Sequence, residues 1–241
     1  MSENEPSQTG ARKYLDLYSA EYHAQHLAWA RTEGRIYRHY RDQYLALVQP
    51  KPGMKILELG CSSGKTTRIF AEKGCKVVSV DFDPHAIELA RKWIADAGLS
   101  TEVEFKCCSA DEVEIAGQGF DVITMLDFVE HVPDELLVSV LGKIRESKFD
   151  GTVCIYTPDR RHFTEVLREV GILHQDKTHI NLKSLTEWRA FFESHGMRVV
   201  SETRAPSHWP VLSSIERRMN SLPGIGPWLI RSLALRLERR R

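Results

Sequence analysis

Short apolar, β-branched runs alternate with stretches of helical period along most of this chain. Lys55 to Leu59 reads as a first strand, preceded by the breaker Pro50-Lys51-Pro52-Gly53. A helix follows from about Gly64 to Lys73 and stops on Gly74. Lys76 to Asp81 is a second strand. Asp83 and Pro84 then supply an N-cap and a first-position proline for a helix that runs to Ala97 and closes on Gly98. Val103 to Cys107 and Asp121 to Leu126 are the third and fourth strands. Beyond Asp134, the residues Leu136, Leu137, Val140, Leu141 and Ile144 recur at helical spacing, and Thr152 to Tyr156 is a fifth strand. Ser184 to Glu187 forms a capping box for a helix carrying Trp188, Phe191 and Phe192. Gly196 ends that helix before a sixth strand, Arg198 to Thr203.

Strands joined by helices of this length imply right-handed crossovers. The expected class is α/β: a Rossmann-like, doubly wound, mostly parallel sheet of six or seven strands with helices on both faces and ligands at the strands' carboxyl ends. Residues 1–50 form a tail and a helical cap, of which the first ten are expected to be disordered. Residues 51–204 form the sheet domain, interrupted by an insertion over 157–182, and 205–241 are a C-terminal extension without a recognisable strand.

The chemistry is concentrated where the first strand breaks. Ile56-Leu57-Glu58-Leu59-Gly60-Cys61-Ser62-Ser63-Gly64 leads an apolar strand into a glycine turn that opens a helix, so a cofactor can approach bare backbone. Asp81 follows Gly60 at about the 20-residue spacing of a ribose-binding acid. Ser62 stands where a dinucleotide fingerprint has its second glycine. Gly60 is also one residue too close to Gly64-Lys65-Thr66 for a P-loop, so that "GKT" reads as an accident of sequence.

The remaining pattern, Glu-x-Gly-x-x-x-Gly with the acid at the second strand end, resembles that of the class I S-adenosylmethionine-dependent methyltransferases, over roughly residues 40 to 204. That resemblance implies S-adenosylmethionine as cofactor. It places Glu58, Gly60, Cys61 and Gly64 under the methionine moiety, Asp81 on the ribose hydroxyls and Phe82 on the adenine face. It also puts Ser109, Ala110 and Asp111 at the adenine edge, with either Ser109 or Asp111 as the polar contact, and Asp127 beside the cofactor at the end of the fourth strand. Glu58 could equally brace the loop, Asp81 cap the next helix and Phe82 belong to the core. The family usually adds a seventh, antiparallel strand, for which this chain shows no convincing pattern.

The segment Glu130-His131-Val132-Pro133 is similar to the one after the fourth strand in the ubiquinone-pathway O-methyltransferases and their small-molecule relatives. His131 is the first candidate for a general base, because an imidazole titrates near neutrality. The alternative is a histidine that only packs on the following helix. Glu130 either orients that imidazole or helps hold a divalent cation. His179, in the insertion segment Thr178-His179-Ile180-Asn181, is the second candidate base. No spacing matches a defined metal-ligand set, so the insertion, with Asp159, Arg160, Arg161, His162, His174 and Asp176, reads as a polar lid. Tyr14, Tyr18 and Tyr22, four apart on one helical face, either cap the cofactor or pack on the sheet edge.

Composition narrows the acceptor. Lys plus Arg and Asp plus Glu number 33 each, so no global field attracts nucleic acid, and the motif of nucleobase N-methyltransferases is absent after the fourth strand. Five cysteines without C-x-x-C spacing and a polar, acidic N-terminal stretch point to a reduced, cytoplasmic protein. From Glu216 to Arg241 seven Arg outnumber two Glu, and Leu229, Ile230, Leu233 and Leu237 share one face of a helix. A basic amphipathic helix of this kind either lies on an anionic membrane or packs on the domain or a dimer partner. The expectation is methyl transfer to an oxygen of a small or lipid-like acceptor. N- or C-methylation and a non-catalytic cofactor-binding regulator are the rivals.

Overall fold

The computed structural model describes residues 18, 20–174, 176–219, 226–229 and 231–240. Two helices, α1 (Ala20–Arg31) and α2 (Arg35–Val48), precede β1 (Lys55–Leu59), α3 (Lys65–Ala71), β2 (Lys76–Asp81) and α4 (Pro84–Asp96). Then come β3 (Val103–Cys107), β4 (Val122–Leu126), α5 (Asp134–Glu146), β5 (Thr152–Pro158) and α6 (Phe163–Glu169). The chain continues through α7 (Leu185–Ser194), β6 (Met197–Ala205), α8 (Pro210–Met219) and β7 (Ser232–Arg239). The local signals act as their chemistry dictates. Asp83 accepts a hydrogen bond from the His85 N–H at 2.8 Å at the start of α4, and Ser184 with Glu187 completes the capping box of α7.

Seven strands form one sheet in the order β3-β2-β1-β4-β5-β7-β6, parallel except for β7, which runs antiparallel to both neighbours. The order reverses between β1 and β4, and a crevice opens outside their carboxyl ends, where an open α/β sheet accepts ligands. Leu136, Leu137, Val140 and Ile144 of α5 and Trp188 and Phe192 of α7 cover one face of the sheet. Tyr44 and Leu47 of α2, Phe70 of α3 and Trp93 of α4 cover the other.

The C-terminal expectation needs correction. Leu233 and Leu237 are on a strand, not a helix. Leu233, Leu235 and Leu237 alternate onto one buried face, while Ala234 and Arg236 point to the opposite face, where Arg236 donates to the Leu47 carbonyl at 3.3 Å. Leu233 and Leu237, four residues apart, fit a helix stripe as well as one face of a strand. The gap between β5 and β6, with Val153 opposite Leu237 and Ala205 opposite Ser232, decides for the strand by pairing its backbone on both sides. The amphipathic helix on which membrane contact was expected is therefore absent over 232–239, and the seventh strand exists. Among the described residues of this extension, helix is confined to α8 and a single turn at Gly226–Leu229; residues 220–225, Ile230 and Arg241 lie outside the described residues.

The insertion is also more structured than a lid, since it contains α6. The N-terminal cap is two helices joined by a turn at Thr32 to Gly34, and residues 1–10 and Tyr14 lie outside the described residues. All five cysteines are free thiols; Cys61, Cys75 and Cys154 are buried, Cys108 is half-buried and Cys107 is exposed.

Leu235→Ala tests the placement of β7. Removing a side chain from a fully buried strand face lowers unfolding free energy by about 2–5 kcal/mol, whereas an exposed helical position changes it by less than about 0.5 kcal/mol. Urea denaturation followed by circular dichroism measures the difference.

Candidate active site

The turn after β1 is shaped by contacts that leave no room for side chains. Gly60 has φ of +78°, and a Cβ there would sit 2.4 Å from Cδ2 of Phe128. The N–H groups of Gly60 and Cys61 both donate to the Val80 carbonyl, at 2.9 and 3.0 Å, which ties the turn to the end of β2. Gly64 adopts φ of +86° as the N-cap of α3, and a Cβ would lie 3.0 Å from that of Ala90. Its role is the close approach of α3 to α4, since it lines neither of the cavities described below.

Glu58 is beneath this turn rather than in the cleft. It is 2% exposed, and its carboxylate accepts from Thr66, from Thr67 at 2.5 Å and from Ser79 at 2.8 Å. Burial raises its pKa, and the three hydroxyl donors oppose that shift. These contacts are those of the loop-bracing alternative, and Glu58 lines neither of the two cavities described here.

Asp81 lines the first cavity with both oxygens facing N–H donors, Ser62 at 2.8 Å and Asp83 at 3.0 Å. Each oxygen retains a lone pair for a ribose hydroxyl. Burial pushes its carboxyl up, against the pull of the two N–H bonds. The capping role considered for this residue belongs to Asp83 instead. Phe82, Ser109 and Ala110 line the same cavity. Asp111 does not; it accepts from Ser109 Oγ at 2.5 Å and Ser139 Oγ at 3.1 Å, and so orients Ser109 from behind. Of the two polar candidates for the adenine edge, Ser109 is thus the one that faces the cavity.

The N-terminal helix closes this cavity. Tyr18 and Tyr22 line it, with Tyr18 edge-on to Phe82 at 6.1 Å and to His131 at 6.2 Å. Burial raises both phenol pKa values, that of Tyr22 to about 12. His23, 3% exposed, bridges Ser62 Oγ at 3.2 Å and Asp83 Oδ2 at 2.8 Å. This histidine fastens α1 to the glycine turn and to the cap of α4 at once. No sequence spacing announced it, because its partners lie 39 and 60 residues away.

A second cavity of about 360 Å³ continues from the first, between the glycine turn, the end of β4, α6 and the start of β7. Cys61 lines this one, and Tyr22, Gly60, Ser62, Asp127 and His131 line both, so they mark the junction. Asp127 sits at φ of +50°, accepts from the Tyr44 hydroxyl and has Lys65 Nζ at 3.4 Å. Lys65 also faces the rings of Trp29, Tyr40 and Tyr44 at 5.6, 5.4 and 5.1 Å. The lysine of the discarded "GKT" thus has a place in the site.

His131 faces the junction with one nitrogen committed. Its Nδ1 lies 3.0 Å from the Thr178 carbonyl, which can only accept, so Nδ1 carries the proton and Nε2 keeps its lone pair. Burial, reinforced by the His179 ring 5.0 Å away, lowers its pKa to about 4. Glu130 is 1% exposed, and burial raises its pKa well above the usual carboxylate range. No spacing in the sequence suggested a metal set, yet Glu130, His131 and His179 bring one donor atom each within 4.8 Å of one another. Glu130 Oε2 and His179 Nδ1 are buried without a hydrogen-bond partner. A two-nitrogen, one-carboxylate set of this size suits a divalent cation, which would supply Lewis-acid polarisation of an acceptor oxygen.

Comparison with known proteins identifies the family and the fold. A family model described as methyltransferase domain matches residues 29–202. The ubiquinone biosynthesis O-methyltransferase of Thiobacillus denitrificans is 33% identical over 123 residues, which are 51% of this chain and 52% of that protein. The matched part is thus about half the length of that relative. Among solved structures, the mitomycin 7-O-methyltransferase MmcR superposes with a TM-score of 0.66 at 17% identity, covering 97% of this chain and 61% of that one. The Burkholderia thailandensis 1,6-didemethyltoxoflavin-N1-methyltransferase, solved with S-adenosylhomocysteine, gives 0.62 at 16% identity, covering 98% and 93%.

The latch formed by His23 predicts a cofactor phenotype away from the cofactor-binding carboxylate. His23→Ala removes two buried hydrogen bonds and leaves Asp83 Oδ2 short of a partner, which is expected to weaken S-adenosylhomocysteine binding about 10-fold or more. Titration calorimetry checks it, and an unchanged dissociation constant would show that α1 closes independently of this contact.

Proposed function

The chain belongs to the methyltransferase domain family, and from that premise we propose that it moves the methyl group of S-adenosylmethionine to a hydroxyl oxygen of a small or lipid-like acceptor. The observation that carries this reading is the imidazole of His131 at the junction of the two cavities, with Nδ1 held by a carbonyl and Nε2 free. The name of the Thiobacillus relative, an O-methyltransferase, supports the same choice of atom.

The cofactor supplies a methyl already activated by a positive sulfur. The residues are then left with positioning and one proton. Asp81 and Ser109 hold the nucleoside end, and the backbone at Gly60 to Ser62 lies against the part that carries the reacting centre. Tyr18, Tyr22 and His23 exclude water from above. An acceptor hydroxyl in the second cavity donates its proton to His131 Nε2 as the new carbon–oxygen bond forms, a step typically worth about 10²–10⁴-fold. His179, edge-on to His131 at 5.0 Å between ring centroids, is the second candidate to take that proton. With its pKa depressed by burial, His131 is neutral and ready as a base throughout the physiological range.

A second reading is favoured by the orphaned atoms of Glu130 and His179, and in it the same three residues hold a divalent cation that binds the acceptor oxygen. Chelation separates the two. Turnover that survives exhaustive dialysis against a chelator supports the imidazole base, and turnover restored only by added divalent ions supports the cation.

Methyl-labelled S-adenosylmethionine incubated with host extract tests the whole proposal, with Asp81→Ala as control. Asp81-dependent label in the organic or small-molecule phase is expected. If calorimetry shows cofactor binding while no fraction gains label, the regulatory alternative replaces it.

The pH profile tests the base. A folded pKa of about 4 means that His131 loses its basic lone pair only as pH falls through that value. The acid limb of kcat/KM is therefore expected near pH 4, not 6.5, and is expected to vanish in His131→Gln along with about 10²-fold or more of the rate.

A further inference from the structure

Three Lys or Arg side chains line the acceptor cavity among the described residues, and they differ in their partners. Lys65 has Asp127 at 3.4 Å, and Arg168 has Glu165 at 2.5 Å. Arg231, half-buried, has no carboxylate within 4.0 Å among the described residues. Its side-chain hydrogen bond is to the Tyr40 hydroxyl, a phenol that burial keeps neutral. Three of the four carboxylates of the cavity are occupied elsewhere: Asp127 serves Tyr44 and Lys65, Glu165 serves Arg168 and Asp176 accepts from Thr178 at 2.7 Å; the fourth, Glu130, does not come within 4.0 Å of Arg231. A guanidinium partly removed from water without a counter-charge is unfavourable unless a ligand supplies one.

The topology says which ligand. Arg231 immediately precedes β7, and in the sheet order β7 is the third strand along from β1, whose end carries the glycine turn. At about 4.8 Å between strands that is roughly 14 Å from the turn. The residues proposed to touch the cofactor sit at the ends of β1, β2 and β3 and, in Asp127, of β4, and β7 is two strands beyond β4, so the group that reaches Arg231 belongs to the acceptor.

We propose that Arg231 anchors an anionic group of the acceptor, a carboxylate or a phosphate carried on the same molecule as the methylated hydroxyl. The inference rests on the hydroxyl-acceptor reading above. The planar guanidinium offers a two-pronged donor face to such an oxyanion, with the Tyr40 hydroxyl beside it. Asp127 and Asp176 repel an anion from the other part of the cavity. An acceptor with one charged end is thus held in a single orientation, its charge at Arg231 and its hydroxyl toward His131 and His179.

Binding and turnover are measured separately, using protocatechuate, which carries a carboxylate, its uncharged amide, and the corresponding phosphonate. Calorimetry on the S-adenosylhomocysteine complex is expected to show protocatechuate and the phosphonate binding about 10- to 100-fold more tightly than the amide, the size of one charge-assisted contact. In Arg231→Gln that ratio is expected to collapse toward one, and Arg231→Lys is expected to restore part of it. The difference between carboxylate and phosphonate identifies the anion preferred. Equal binding of charged and uncharged rings, binding of none of them, or a preference that survives in Arg231→Gln overturns the proposal. A fall in S-adenosylhomocysteine affinity in a folded Arg231→Gln variant also overturns it, by assigning the residue to the cofactor. Turnover decides the other question independently. A charge preference without methylation of either ring defeats the hydroxyl reading and keeps the anion contact, and methylation without a charge preference does the reverse.

Discussion

The buried carboxylate of Glu58 is the contact from which the rest of the site is built. It belongs to β1, yet its three hydroxyl donors come from α3 and β2, so one group fixes the spacing of three elements. A carboxylate at 2% exposure is costly unless its lone pairs are filled. Thr66, Thr67 and Ser79 are thus constrained as strongly as the acid itself. The glycine turn hangs between these points, and its shape follows. Gly60 is pressed against Phe128, Ser62 is forced to a positive φ, and the Ser62 N–H is delivered to Asp81.

That geometry couples the cofactor end to what lies above it. Asp81 shares the end of β2 with the Asp83 cap, and His23 reaches Asp83 and Ser62 together. Closing α1 over the cavity and setting the turn therefore involve the same atoms. Tyr18 continues the contact to His131, which places an aromatic edge between the nucleoside cavity and the acceptor cavity.

The second cavity, proposed to take the acceptor, has a different construction. It gathers Asp127 and His131 after β4, Asp176 and His179 from the segment after α6, and Arg231 before β7. The Thr178 carbonyl that sets the tautomer of His131 comes from 47 residues further along the chain. Variation in those connecting segments can alter the acceptor without disturbing the cofactor end, because the two share only the junction residues.

Local chemistry made the first half of the fold and the cofactor loop legible in the sequence. Strand periodicity, the Asp83-Pro84 start, the Ser184–Glu187 box and the glycine turn each depend on residues within a few positions of one another. Asp81, Phe82 and Ser109 were legible for the same reason, since each sits at a strand end whose position the pattern predicts. The seventh strand was not, because Leu233 and Leu237 satisfy a helical and an alternating pattern alike, and only the open gap between β5 and β6 distinguishes them. The tertiary structure alone decided the setting of Glu58, the latch at His23, the place of Lys65, the gathering of Glu130 with His131 and His179, and the place of Arg231 in the second cavity without a carboxylate partner among the described residues. Each of these depends on partners dozens of residues distant, brought together by strand order, and a linear pattern carries no record of which strand ends become neighbours.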